Sequence, residues 1–130
     1  MAAARHVLDA SALLAVLQRE TGAEIVLQAL DGALISSVNW SEVVQKAAAR
    51  GVAVGRRMRR DVEAIGVRIV PFEADDAEGA AGLWTAAPRA GLSLGDRACL
   101  ALARARGAVA LTTDRTWSSL PLDVSVEVVR

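Results

Sequence analysis

Short apolar runs along the chain give way repeatedly to longer stretches with helical spacing of apolar positions. Arg5 to Asp9 (RHVLD) reads as a short buried strand, and Ser11 to Glu20 (SALLAVLQRE) as a helix. Thr21-Gly22 breaks it; helical spacing resumes over Ala23 to Leu30 and stops at Asp31-Gly32. Ala33 to Ser36 is a second predicted strand. Asn39 to Arg50 and Ala53 to Ile65 are helices, ended by Gly51 and Gly66. Val67 to Phe72 is a third strand, and Asp75 to Ala87 a helix stopped by Pro88. Leu94 to Arg106 is a helix stopped by Gly107, and Ala108 to Thr112 and Val124 to Val129 complete five strands. No linker, repeat or low-complexity tract interrupts the pattern, which predicts a single domain over residues 1–130.

Strands alternating with helices predict an α/β fold: a five-stranded, mostly parallel sheet with helices on both faces and right-handed crossovers. In open sheets of this kind, function gathers outside the carboxyl ends of the strands, where strand order reverses. The side chains that matter are therefore those just after strands and at the helix starts that follow.

Composition narrows the chemistry. A chain that is 53% hydrophobic can bury a core and is not a disordered tail, although only 3% of it is aromatic. Fifteen basic residues balance fifteen acidic ones, so bulk charge does not drive it onto nucleic acid. Cys99 is the only cysteine and His6 the only histidine, which excludes an intrachain disulfide and a Cys/His zinc site. Lys46, the only lysine, follows no glycine, so there is no lysine-bearing phosphate loop. Met1 to Arg5 lacks the apolar stretch of a signal peptide, and charges interrupt every apolar run. The expectation is a soluble cytoplasmic protein.

Four acids stand where chemistry is expected, and each also has a structural reading. Asp9 closes the first strand in an apolar run, where a carboxylate is costly unless satisfied. It either caps the next helix or carries function. Asp114 holds the matching place after the fourth strand; if those strands are neighbours, both carboxylates open into one crevice. Asp96 suits a capping box with Ser93, yet it heads the otherwise apolar stripe Cys99, Leu100, Ala103. Glu42 has capping-box spacing from Asn39 and ion-pair spacing to Lys46. Should the four converge, like charges about 4 Å apart repel by roughly 4 kcal/mol per pair at an effective dielectric near 20. Such a cluster needs protons or a cation. Carboxylates without His or Cys favour Mg²⁺ or Mn²⁺, and metal-assisted phosphodiester hydrolysis is the chemistry that follows.

LDASALLA around Asp9, NWSEVV around Glu42, GLSLGDRACLALA around Asp96 and LTTDRTW around Asp114 together resemble the PIN-domain ribonucleases. More narrowly, they resemble the VapC-type toxins of bacterial toxin–antitoxin pairs. The likeness covers roughly Val7 to Trp117, with the acids in the expected order. It implies strand order 3-2-1-4-5 and a Mg²⁺- or Mn²⁺-dependent endoribonuclease. Asp9 and Asp96 would be direct metal ligands, with Glu42 and Asp114 completing the pocket directly or through water. Ser11 and Thr113 match small hydroxyl positions that orient the carboxylates from behind. The resemblance further implies a homodimer held by the early helices and a cognate antitoxin that occupies the active-site groove.

Other residues carry paired readings. Arg56, Arg57, Arg59 and Arg60 form either a solvated face bridged to Asp61 and Glu63 or a phosphate or antitoxin contact. Arg97 and Arg115, each following a pocket acid, either pair with it or touch substrate. Cys99 reads as a small buried hydrophobe, and His6 lies at the strand end away from the crevice. Trp40 and Trp117 pack against the sheet or stack bases, and Trp84 is core or dimer contact. Asp75, Asp76 and Glu78 suit the positive end of a helix. A phosphoacceptor module would need a phosphorylatable Asp after the third strand, which here ends in Val70-Pro71-Phe72, and a lysine after the fifth, which is absent. A catalytically silent PIN scaffold that only binds a partner is the remaining rival.

Overall fold

The computed structural model describes residues 4–52 and 55–130. In chain order it contains β1 (His6–Leu8), α1 (Ala10–Leu17), α2 (Ala23–Ala29), β2 (Leu34–Ser36), α3 (Ser37–Ala49) and α4 (Arg56–Ala64). Then follow β3 (Arg68–Val70), α5 (Ala74–Ala86), α6 (Leu94–Arg106), β4 (Val109–Thr112), a 3₁₀ turn (Arg115–Ser119) and β5 (Val126–Val128). The five strands form one sheet in the order β3-β2-β1-β4-β5, every pair parallel, as expected. The expected helix over Ala53 to Ile65 begins at Arg56 among the described residues; Ala53 and Val54 lie outside them.

Period-two alternation on short strands divides the core between the two faces. Leu8, Ile35 and Leu111 pack with Leu13, Val26, Val43 and Val62 beneath α1 to α4. Val7, Leu34 and Ala110 pack with Leu83, Cys99, Leu100 and Trp117 on the α5 and α6 side. Fully burying a side chain such as Leu8 or Leu100 stabilises the fold by roughly 1.5–3 kcal/mol. Trp117 is 2% exposed, so the packing reading applies to it; Trp84 is 56% exposed and is not core.

Two boundaries differ from expectation for local reasons. The helix expected from Ser11 to Glu20 ends at Leu17, and Arg19 turns to φ +54° before Gly22 restarts the chain. The helix expected from Asn39 starts at Ser37, because Ser36 supplies the cap: its Oγ accepts from the Val38 amide at 3.2 Å. That shift moves Asn39 inside the helix, with consequences for the site.

Candidate active site

The alternation that builds the core also aims the first acid. Val7 and Ala110 face α6, so one rung beyond Leu8 and Leu111 the next residues, Asp9 and Thr112, return to that face. The register His6↔Val109, Val7↔Ala110, Leu8↔Leu111 continues one step further, and Thr112 Oγ1 donates to Asp9 Oδ2 at 2.5 Å. Asp9 Oδ1 accepts from the Ser11 hydroxyl at 2.7 Å and the Ala12 amide at 2.8 Å. Asp9 therefore caps α1 and is also a carboxylate only 7% exposed. Burial pushes its carboxyl above the usual range. Hydrogen bonds from Thr112, Ser11 and Ala12 oppose that rise, and the charge of Asp96 adds to it.

Asp96 enters from the first turn of α6. The expected capping box is formed: Asp96 Oδ2 accepts from the Ser93 amide at 2.9 Å, and Ser93 Oγ from the Asp96 amide at 3.1 Å. The cap engages Oδ2 and leaves Oδ1 outside it, so capping and a second role are compatible.

Glu42 is held differently from either expectation. Asn39 is the third residue of α3, 1% exposed, and is no cap. Its Nδ2 donates to Glu42 Oε1 at 3.1 Å and to the Gly95 carbonyl at 2.9 Å, joining α3 to the start of α6. The Glu42–Lys46 ion pair does not form. Glu42 instead lies over Gly95, where an added Cβ would sit 2.8 Å from the Glu42 carboxyl carbon. Only glycine leaves that space.

Cys99, fully buried, lies below these groups. Burial and the charges of Asp9, Asp96 and Glu42 push its thiol well above the ordinary range. It is the protonated, buried hydrophobe the sequence suggests.

Asp114 takes the capping role that the sequence offered it. It is exposed and caps the 3₁₀ turn, its Oδ1 accepting from the Thr116 amide at 2.9 Å and hydroxyl at 2.7 Å. Its amide donates to Thr112 Oγ1 at 3.0 Å, and the cap uses Oδ1 and leaves Oδ2 outside it, so capping and a second role are again compatible. Among the described residues, no three His, Cys, Asp or Glu side chains stand close enough to hold a metal ion between them. Asp9, Glu42 and Asp96 all stand near enough to Cys99 for their charges to act on its thiol, and Asp114 caps the turn beside them. The donor set still fits a hard cation. Carboxylate oxygens from Asp9 and Asp96 suit Mg²⁺, which binds through one or two carboxylates and keeps waters, and Cys99 offers no thiolate.

The supporting hydroxyls are Ser11 and Thr112 rather than Ser11 and Thr113. Thr113 reaches Ser11 Oγ through its backbone amide at 3.0 Å. The period-two register sets this, since Thr112 and not Thr113 stands opposite Asp9. Aligning the two strand ends in the sequence would have found it. Asn39 and Gly95, also missed, are visible only once α3 and α6 are side by side. Arg97 pairs with no pocket acid: its Nη1 donates to the Ala80 carbonyl on α5 at 3.2 Å. Arg115 is exposed at the start of the 3₁₀ turn. His6 lies at the opposite edge of the sheet, lining a cavity of about 420 Å³ with Arg5, Gln28 and Asp31, away from the acids.

A parallel sheet of order 3-2-1-4-5 with acids at the carboxyl edge of its first strand defines a class, and comparison with known proteins identifies it. The PIN domain family model matches residues 6–121, and the chain belongs to the PIN-domain family. A comparison with curated proteins found no match. Among solved structures, a toxin–antitoxin complex from Klebsiella pneumoniae superposes with TM-score 0.76 at 21% identity, covering 96% of this chain and 98% of that one. DNA-bound VapBC from Salmonella typhimurium gives TM-score 0.70 at 16% identity, covering 97% and 98%. FitAcB from Neisseria gonorrhoeae gives 0.69 at 19%, covering 93% and 95%.

Proposed function

We propose that this PIN domain is a Mg²⁺- or Mn²⁺-dependent endoribonuclease acting as the toxin of a toxin–antitoxin pair. One observation carries the reading. Asp9, at the end of β1, is a carboxylate only 7% exposed and held in place by Thr112 and Ser11. Asp96, far away in sequence, is set at the start of α6 with one oxygen outside its cap and adds its charge to the burial of Asp9. Folding does not need that repulsion, and a bound cation would relieve it. The similar solved structures described as toxin–antitoxin complexes support the biological role.

Asp9 and Asp96 would hold the ion, with Glu42 and Asp114 reaching it directly or through water. A divalent ion bound there supplies charge neutralisation on the phosphate and an activated water. Ser11 and Thr112 hold the Asp9 carboxylate and would keep its orientation toward an ion. Asn39 fixes Glu42 against α6. The proposed partners are single-stranded RNA, a cognate antitoxin and a second copy of the chain. Leu17 (40% exposed), Ile25 (40%) and Leu27 (56%) on α1 and α2 offer apolar surface for the dimer. No described helix is long and apolar enough to cross a membrane, and the proposed site of action is the cytoplasm.

The test is cleavage of single-stranded RNA with Mg²⁺ or Mn²⁺, with EDTA, and with Asp9→Asn and Asp96→Asn. Metal-dependent cutting lost in both variants, with cooperative unfolding retained, is the expected result. Equal activity of the variants would refute the assignment. Among the described residues no three acids converge, and the second reading is a silent scaffold that binds only a partner. Calorimetry with Mn²⁺ separates the two, since a scaffold takes up no ion.

A further inference from the structure

We infer that the groove between α3 and α4 binds one nucleotide of the RNA strand, its base against Trp40 and its phosphate between Arg56 and Arg59. The inference rests on the ribonuclease reading and adds a place where substrate is held apart from the acids. A pocket of about 190 Å³ is lined by Trp40 and Val44 from α3, by Gly55 just before α4, and by Arg56 and Arg59 from α4. That is below the roughly 300–1,000 Å³ of a site for a whole drug-sized ligand and suits a single heterocycle.

The lining joins an aromatic face to two guanidinium groups, the combination that holds a single strand by stacking and charge. Trp40 is half-buried, packed against the core and also lining the pocket, so part of its ring is available to a ligand. Arg56 and Arg59 are exposed, and among the described residues the ion-pair partner of Arg59 is Glu63, at 3.5 Å, with both side chains more than half exposed. Such a pair contributes little and yields readily to phosphate. Arginines in the first turn of α4 also oppose the helix's own field, so folding does not call for them.

Trp40 stands two residues before Glu42 on α3, on the other side of the helix, near the same carboxyl edge of the sheet. One strand crossing the start of α3 can reach both. The pocket calls for an anion with an aromatic ring. An antitoxin segment that neutralises the acids must be basic, so the sign of the charge favours RNA over that segment here.

The experiment uses the whole protein and a short labelled oligouridylate. Binding is followed by anisotropy in EDTA over graded KCl, and cleavage in Mg²⁺ buffer. Arg56→Gln/Arg59→Gln should raise KM with kcat retained and flatten the log–log salt slope by about 1.4, two single-strand contacts' worth. Arg57→Gln/Arg60→Gln removes equal charge from the same helix outside the pocket and should change both less. Trp40→Leu should weaken binding by roughly 5- to 150-fold if its fold holds; the arginine pair, being exposed, tests the site without that condition. Unchanged KM and slope in Arg56→Gln/Arg59→Gln, with wild-type cleavage intact, would overturn the site and leave the nuclease reading standing. Wild-type protein that neither binds nor cuts RNA would overturn both. Loss of binding to an acidic peptide, with RNA binding unchanged, would assign the pocket to a protein and overturn the RNA site.

Discussion

Gly95 is the second residue of α6 and lies directly beneath the Glu42 carboxylate, which makes Gly95→Ala a probe of that carboxylate's position. The new Cβ would lie 2.8 Å from Glu42 Cδ and 2.9 Å from Oε2, against an ordinary contact of 3.4 Å or more, so one of them must move. The obstructing atoms are the end of a flexible side chain, and Glu42 swings aside. Its bond from Asn39, at 3.1 Å, is then lost at a cost of about 0.5–1.5 kcal/mol. Alanine in place of helical glycine returns up to about 1 kcal/mol. The two nearly cancel, so thermal unfolding should move by only about 4 °C in either direction. Catalysis has no such compensation. Displacement of a carboxylate by about 1 Å can lower turnover on the order of 100-fold. Melting curves in EDTA and initial rates of RNA cleavage in Mg²⁺ read the two effects separately. In a Glu42→Ala background the same substitution should stabilise and change activity no further, because the obstruction is gone. Full activity of Gly95→Ala would show that the place of Glu42 does not matter, and destabilisation beyond about 3 kcal/mol would show that Glu42 cannot yield.

The carboxyl of Asp9 is raised by burial and by Asp96, so its contribution to stability is fully present below the unfolded carboxylate range and is lost as pH rises through the folded value. Metal-free Asp9→Asn should therefore gain stability over wild type at neutral pH, the gain vanishing in acid; a gain equal at all pH values sinks the explanation. Mn²⁺ at a hundred times its Kd should stabilise the wild type by about 2.7 kcal/mol and leave Asp9→Asn unmoved. Thr112→Val removes a donor to Asp9 and an acceptor for the Asp114 amide, and should cost about 1–3 kcal/mol and roughly 10- to 100-fold in metal affinity. Thr112→Ser should restore both, whereas Thr113→Val should be mild; a reversed order would return the role to Thr113.

The sequence by itself determined the alternation of strands and helices, the helix stops and the strand order implied by its resemblance. These depend on local spacing: period two against period 3.6, Ser93 three residues before Asp96, and glycine at Gly51, Gly66 and Gly107. It also placed Asp9, Asp96 and Asp114 at strand ends or helix starts, because those positions are local too. What only the tertiary structure decided was which side chains meet. Thr112 rather than Thr113 supports Asp9 through the register between β1 and β4, and Asn39 joins Glu42 to Gly95 only where α3 and α6 pack together. Asp114 accepts from the Thr116 amide and hydroxyl of its own 3₁₀ turn, one of the two roles its place after the fourth strand allows. Spacing along a chain fixes how each element is built; contacts between elements depend on the packing of whole faces, and no window of residues contains them.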